Sequence, residues 1–385
     1  MTIRFRILLL TVLISNIFGG AIVAAETYSP VSEPPRSIFE ALGYTELLDL
    51  TIRTDLNALI ENRRSEAYQR AVLVYKNKSG KTVQQDIEVQ VRGKFRRRVC
   101  DFPPLKLKFP KKELAAAGLE KDFNKLKLVT HCIDDKDYGN DNLLREYLIY
   151  KLYNELNPVN SFRVQLLRIT YEDSQGVQAK IKRYGFLIED TDEMAARVGK
   201  AESERLNVSP DSLSTADEHI MGLFQYMIGN ADWSTTLLRN VKLVAPRTGH
   251  RNIPVPYDFD FAGLVNASYA IPQYDLGLRS IRDRFYLGMM PCQQETMRAT
   301  MRLFLEKEQR LRDIVANCKW LTKESRIEVI YYLHHFFEAI EPAYLDANVD
   351  LAEFFSLRNA TMEQLRQKQA ADKQNALLPN GMNGR

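Results

Sequence analysis

The chain is poor in the residues that most metal and redox enzymes advertise. Across 385 residues it holds four cysteines and five histidines. None of the cysteines forms a CxxC, which argues against a zinc knuckle or a thioredoxin-like centre. There is no HExxH and no GxGxxG, so neither a zincin helix nor a glycine-rich phosphate loop is legible. His334 and His335 are adjacent and cannot share one helix face, which fits surface packing better than ligation. Charge of one sign is lacking too. The formal net charge is +4, and hydrophobic content of 45% with 26% charged residues is that of an ordinary globular protein. No specific nucleic-acid partner is expected from such a balance.

Long apolar runs are absent except at the start. Residues 1–25 combine a basic opening, "MTIRFR", with the apolar stretch "ILLLTVLISNIFGGAIV". Val23 and Ala25 suit the small positions of a signal-peptidase site. Asn16 and the Gly19–Gly20 pair make the alternative, a retained anchor, a poor span. Cleavage after residue 25 removes Arg4 and Arg6 and no acid, taking the charge to +2. The expectation is an exported protein, secreted or held in the periplasm or envelope, with no stable membrane span after cleavage. Cys100, Cys132, Cys292 and Cys318 would then form two disulfides. Proximity in sequence favours Cys100–Cys132 and Cys292–Cys318 among three possible connectivities.

What is present divides the chain. Residues 26–40 are rich in Pro, Ser and Glu and read as a linker. Residues 41–190 read as mostly antiparallel strands. "KNKSGK" separates two alternating runs as a hairpin turn, and "PPLKLKFP" and "NKLKLVTHC" are shorter strands. Residues 141–156 form an amphipathic helix capped by Asp141 or Asn142. "FRVQLLRITYED" and "AKIKRYGFLIED" make a second hairpin. Residues 191–365 turn helical, and 366–385 form a polar, disordered tail. The expected fold class is α+β, with a strand-rich and a helix-rich lobe around a cleft.

Two acidic segments carry candidate chemistry. "GNADWSTTLLRN" supplies Asp232 and Asn240, and "PVPYDFDFAGLVN" supplies Asp258 and Asp260. A strand and a turn connect them, so a hairpin brings them together. Carboxylates and an amide converging on one point make a hard-oxygen site of the kind Mg²⁺ or Mn²⁺ prefers with substrate phosphates. If 258–260 is a strand, its two acids share one face while Phe259 points to the core. The plainer alternatives are an arginine paired with Asp258 and a capping role for Asp232. Basic residues supply the other half. "VRGKFRRR" places Arg92, Lys94, Arg96, Arg97 and Arg98 around Gly93, and Lys106 and Lys108 share a strand face. Most of them read as a solvated face; the sharper reading is one buried lysine opposite the carboxylates, fixed by Glu146.

In order, "RGKFRRR…PPLKLKF", "NKLKLVTHCIDD…NLLREYLIYKLYNEL", "YGFLIED" and "IGNADW…RNVKLV…PVPYDFDFAG" resemble the CotH family of atypical secreted kinases, known from spore-coat proteins. The likeness spans roughly residues 80–265, and the last segment is its most specific part. It implies a kinase-like fold, ATP, a divalent metal and a protein acceptor. It implies Asp232 as catalytic aspartate, Asn240 with Asp258 or Asp260 as metal ligands, and Lys106 or Lys108 on the phosphates. Unlike ordinary kinases, the chain has no His-Arg-Asp, and Asn240 follows Asp232 at a longer spacing. Transfer of AMP in place of phosphate, an inactive envelope or coat protein that keeps the fold for binding, and a DxD glycosyltransferase are the other readings.

Overall fold

Alternating strands dominate the first half, and in the computed structural model they close on themselves. The structure describes residues 36–246, 251–289 and 294–360. The expected signal segment, the tail and Cys292 with its expected partner bond lie outside them. A short helix comes first, α1 (Ile38–Leu42), opened by a capping box at Ser37 and burying Ile38, Phe39 and Leu42. Among the described residues, α1 overlaps the end of the stretch expected as a linker to residue 40, held by the Ser-x-x-Glu cap and the buried Ile38 and Phe39.

Seven strands follow: β1 (Leu47–Thr54), β2 (Gln69–Lys76), β3 (Thr82–Val91), β4 (Leu105–Lys108), β5 (Lys125–Thr130), β6 (Val164–Asp173) and β7 (Ile181–Ile188). They form a closed barrel in the order β1-β2-β3-β4-β5-β7-β6. All neighbours are antiparallel except β1 and β6, which run parallel from Leu47↔Leu166 to Thr54↔Asp173. Period-2 alternation supplies the interior: Leu50 and Ile52, Leu73, Ile87 and Val89, Leu105 and Leu107, Leu126 and Leu128 form one apolar cluster. Closure removes the exposed edges that an open sheet of this length would carry. Two short helices, α2 (Leu56–Glu61) and α3 (Arg96–Val99), and a third, α4 (Lys111–Ala116), sit in the connections.

Helix α5 (Lys136–Leu156) follows β5 and packs against β6 and β7. It starts before the expected cap because the Asp135 side chain accepts from the Tyr138 N–H at 2.8 Å. After β7 come α6 (Thr191–Arg197), β8 (Lys200–Ser203), α7 (Thr215–Ile228), β9 (Val241–Pro246) and β10 (Ile253–Pro256). The last strands form a small antiparallel sheet, β10-β9-β8. Helices α8 (Gln294–Ala316) and α9 (Lys323–Leu345) pack together and against α5 and α7. Their shared core joins Tyr150, Tyr153, Phe186, Phe224, Phe259 and Phe336. The class is mixed α+β, as expected. The hairpins expected from the sequence close into a barrel through the parallel pairing of β1 with β6, which local pattern does not display. Among the described residues, no helix is long and apolar enough to cross a membrane.

Cys100 and Cys132 are bonded, with Cα atoms 4.5 Å apart, as sequence proximity suggested. The bond staples the end of α3 to the turn between β5 and α5. Its sequence separation of 32 residues predicts a loss of about 3–4 kcal/mol on removal, from loop-closure entropy in the unfolded chain. Urea unfolding of Cys100→Ala/Cys132→Ala beside the oxidised protein checks this.

Candidate functional site

Helix α7 is buried along most of its length and stops at Gly229, which adopts a left-handed conformation (φ 66°). A Cβ at this position would stand 2.0 Å from the Tyr332 hydroxyl, so glycine is required twice over. The chain then enters a tight polar turn. The Asn230 side-chain amide donates to Gln225 Oε1 at 3.0 Å, and its oxygen accepts from the Asp232 N–H at 3.0 Å. Trp233 is buried beneath. Residues 234–239 make a loop closed by reciprocal backbone bonds between Ser234 and Arg239. Asn240 returns beside Asp232 and donates from Nδ2 to the Asp232 carbonyl (2.6 Å) and to Oδ2 (3.0 Å). The structure thus sets Asn240, one of the candidate residues of this loop, directly against Asp232.

Asp258 and Asp260 do not form a strand. β10 ends at Pro256, and Asp258 has φ 61°. A left-handed aspartate cannot continue a ladder, so the two acids project from a turn and not from one strand face. The Asp258 N–H donates to the buried Tyr150 hydroxyl at 3.0 Å. Phe259 does point inward, with its ring 4.8 Å from Tyr150 and 5.9 Å from Phe224. Leu238 and Asn240 are also left-handed (φ 49° and 51°), which concentrates non-glycine backbone strain around this point.

The cation opposite the acids is an arginine, where a lysine was expected. Arg96 Nη2 donates to Glu146 Oε1 and to Asp258 Oδ1, each at 2.8 Å, and Nε donates to Asp260 Oδ2 at 2.7 Å. Arg96, Glu146 and Asp260 are buried, while the Asp258 side chain keeps 36% exposure. Glu146 performs the expected ion-pairing, though for Arg96. Nothing in "FRRR" distinguishes Arg96 from its neighbours; the short helix α3 alone turns it inward while Arg98 stays exposed. Burial drives the Glu146 carboxyl up to about 7, against the Arg96 charge, which pulls it down. Burial likewise raises Asp260, with Arg96 opposing. Asp232 is raised by burial, against the pull of Arg239.

Arg92, Arg96, Asp232, Asn240, Asp258 and Asp260 line one cavity of about 520 Å³. Lys106 and Lys108 stay outside it. They point away from the barrel interior, and Lys108 Nζ pairs with Glu88 at 2.6 Å. The neighbouring strand supplies a lysine that sequence reading did not single out. Lys127 on β5 faces Lys106 in register and reaches toward Tyr257. Its signal, the second lysine of "KLKL", is shared with lysines that are solvated.

The oxygen donors suit a hard cation, with a restriction. Asp258 Oδ2 and Asn240 Oδ1 accept no hydrogen bond among the described residues, whereas Asp258 Oδ1 and Asp260 Oδ2 are held by Arg96. No group of three or more His, Cys, Asp and Glu among the described residues could hold a metal ion by itself. The chain therefore fits a divalent ion only in company with ligand oxygens, as Mg²⁺ commonly binds beside phosphate.

Comparison with known proteins gives little beyond this geometry. The chain matches no protein-family model and no curated relative. Among solved structures it is similar to the Helicobacter pylori proinflammatory kinase CtkA, at 10% identity and a TM-score of 0.34, covering 69% of this chain and 97% of that one.

Because the folded value of Glu146, about 7, lies above its ordinary 4.5, its ionisation opposes folding. The stability of the protonated form is full below about pH 4.5 and is lost as pH rises through 7. Urea titrations between pH 5 and 8 should show this decline, and Glu146→Gln should make it shallower without abolishing it, because burial also raises Glu193 and Glu218 to about 7. Arg96→Met, which leaves the buried carboxylates unpaired, should cost about 3–5 kcal/mol at pH 8.

Proposed function

We propose that the cavity is the site of a kinase-like phosphotransferase that moves phosphate from ATP to a protein acceptor. The barrel with α5 would form one lobe and the helical part the other. One observation carries this reading: the turn after α7, the turn after β10 and the buried Arg96–Glu146 pair place Asp232, Asn240, Asp258 and a guanidinium on a single cavity. Phosphoryl transfer needs those parts, namely cations on phosphate oxygens, acids for a metal, and a carboxylate for the attacking hydroxyl.

Asp232 would take the acceptor's hydroxyl proton or orient that hydroxyl. Burial makes it a better base than an exposed aspartate, and Asn240 Nδ2 fixes its Oδ2. Asn240 and Asp258 would hold Mg²⁺ or Mn²⁺, which when bound neutralises charge on the phosphate oxygens. Arg96 Nη1, which makes no hydrogen bond among the described residues, would meet the ligand while Nε and Nη2 stay on the acids. Asp260 serves this arrangement by holding Arg96. AMP transfer would use the same groups with the acceptor attacking the α-phosphorus and pyrophosphate leaving. The Cys100–Cys132 bond supports an exported protein, since such bonds persist in oxidising compartments.

A second reading has its own support. Arg96 already pairs with both Asp258 and Asp260, as suits a non-catalytic binding protein. A DxD glycosyltransferase gains nothing from a barrel without alternating β-α units. Thermal unfolding with ATP and Mg²⁺ or Mn²⁺ separates the first two. A rise in Tm that requires both and disappears in Asp258→Ala supports the enzyme. Asp232→Asn should keep that rise and lower transfer to a generic protein acceptor by about 10²-fold or more. Absence of any shift with nucleotides favours the binding protein.

A further inference from the structure

The two carboxylate oxygens of Asp232 have different partners. Oδ2 accepts from Asn240 Nδ2 at 3.0 Å, while Oδ1 faces Arg239, whose Nη1 stands 3.5 Å away. That separation is long for a charge-assisted hydrogen bond, which closes to about 2.7–2.9 Å. The Arg239 side chain makes no other ion pair among the described residues and keeps 49% exposure. An exposed pair of this length contributes little to stability.

The loop that carries Arg239 is held by other contacts. Reciprocal backbone bonds of 2.9 Å join Ser234 and Arg239, and the Asn207 N–H donates to the Thr236 carbonyl at 2.8 Å. Leu238, left-handed at φ 49°, packs on the cluster around the buried Trp233. Leu237 is exposed and lines the cavity beside Arg239. Backbone and Leu238 thus fix the loop without the guanidinium. The other acids on the cavity wall, Asp258 and Asp260, are paired with Arg96. Arg92 and Lys94 line the same cavity and make no ion pair among the described residues. Cations without a close counter-ion therefore remain on the wall.

We propose that Arg239 determines acceptor specificity: it pairs with a carboxylate beside the acceptor hydroxyl, so the substrate class is a hydroxyl-bearing peptide segment with acidic flanks. This rests on the phosphotransferase reading for the role of Asp232. The guanidinium stands over Oδ1, the Asp232 oxygen that Asn240 leaves for a hydroxyl. A substrate carboxylate can meet Arg239 through two parallel hydrogen bonds, which draws it off Oδ1 and seats the hydroxyl there. The acceptor oxygen then bonds to the γ-phosphorus as that phosphorus parts from ADP, and the hydroxyl proton passes to Oδ1. Withdrawing Arg239 also removes a charge that holds the Asp232 carboxyl down, so the base strengthens as the substrate arrives. A basic acceptor is repelled by Arg239 and leaves it on Asp232.

The test uses three serine peptides that differ only in their flanks, glutamate, alanine or lysine, and reads binding to the full chain by fluorescence anisotropy. The wild-type protein should bind the glutamate peptide about tenfold more tightly than the alanine peptide, and the lysine peptide most weakly. Arg239→Met should abolish this order, and Arg239→Glu should invert it. Because the side chain is half exposed, Arg239→Met should keep the Tm of the wild type, which shows that the variant folds. Equal affinity for the three peptides in the wild type overturns the assignment, as does an order that Arg239→Met leaves intact, or the absence of any binding. The two readings fail separately. Binding in the expected order, with no phosphate transferred from ATP to any of the peptides, keeps the acidic ligand and removes the enzyme. Transfer to all three peptides alike keeps the enzyme and removes the assignment.

Discussion

The guanidinium of Arg96 is shared between Glu146 on α5 and two aspartates on the turn after β10, and the cavity depends on that sharing. Three like charges cannot be brought together in a poorly hydrated space without a cation between them. Arg96 supplies it through charge-assisted hydrogen bonds of 2.7–2.8 Å. The cation comes from a helix of four residues, too short to hold its own position. The disulfide at Cys100 and the packing of Phe95 on Phe261 hold that helix in place. The barrel, the long helix and the turn of the helical part thus meet at one side chain.

Around this contact the backbone departs from regular structure where side chains must be aimed. Asn240 and Asp258 sit in the left-handed region, and Gly229 releases the chain from α7 into the Asp232 turn. Each departure is held by specific bonds: Asn240 by its amide on Asp232, and Asp258 by the Tyr150 hydroxyl. Such conformations persist only where their surroundings over-determine them, and here the surroundings are the aromatic core under Phe259. The acids therefore project from a rigid support.

The cations divide into two kinds. Arg96 is buried and satisfied. Lys106 and Lys127 are half-buried and have no carboxylate partner within ion-pair distance among the described residues, while Lys108, equally half-buried, is paired with Glu88. Position along the basic segments does not separate them, since all three lysines lie in the same kind of alternating run. What separates them is which strand stands beside which. β5 is flanked by β4 and β7, and this brings Lys127 under Thr191 and Tyr257.

Local pattern determined a good deal. Period-2 alternation located the strands around "KNKSGK", the apolar period located α5, and one polar segment supplied both Asp232 and Asn240, which the fold sets side by side. The proximity of Cys100 to Cys132 marked a bond that is present. These are properties of neighbouring residues, and neighbouring residues are what a sequence displays. Tertiary structure alone decided the closure of the barrel through β1 and β6, the left-handed turn at Asp258, and the choice of Arg96 as the buried cation. Each of these sets a local preference against contacts from distant parts of the chain. A β-like alternation at 258–260 yields when Tyr150 captures the backbone and Arg96 captures the acids, because charge-assisted hydrogen bonds to a buried guanidinium outweigh the small propensity of three residues for a strand.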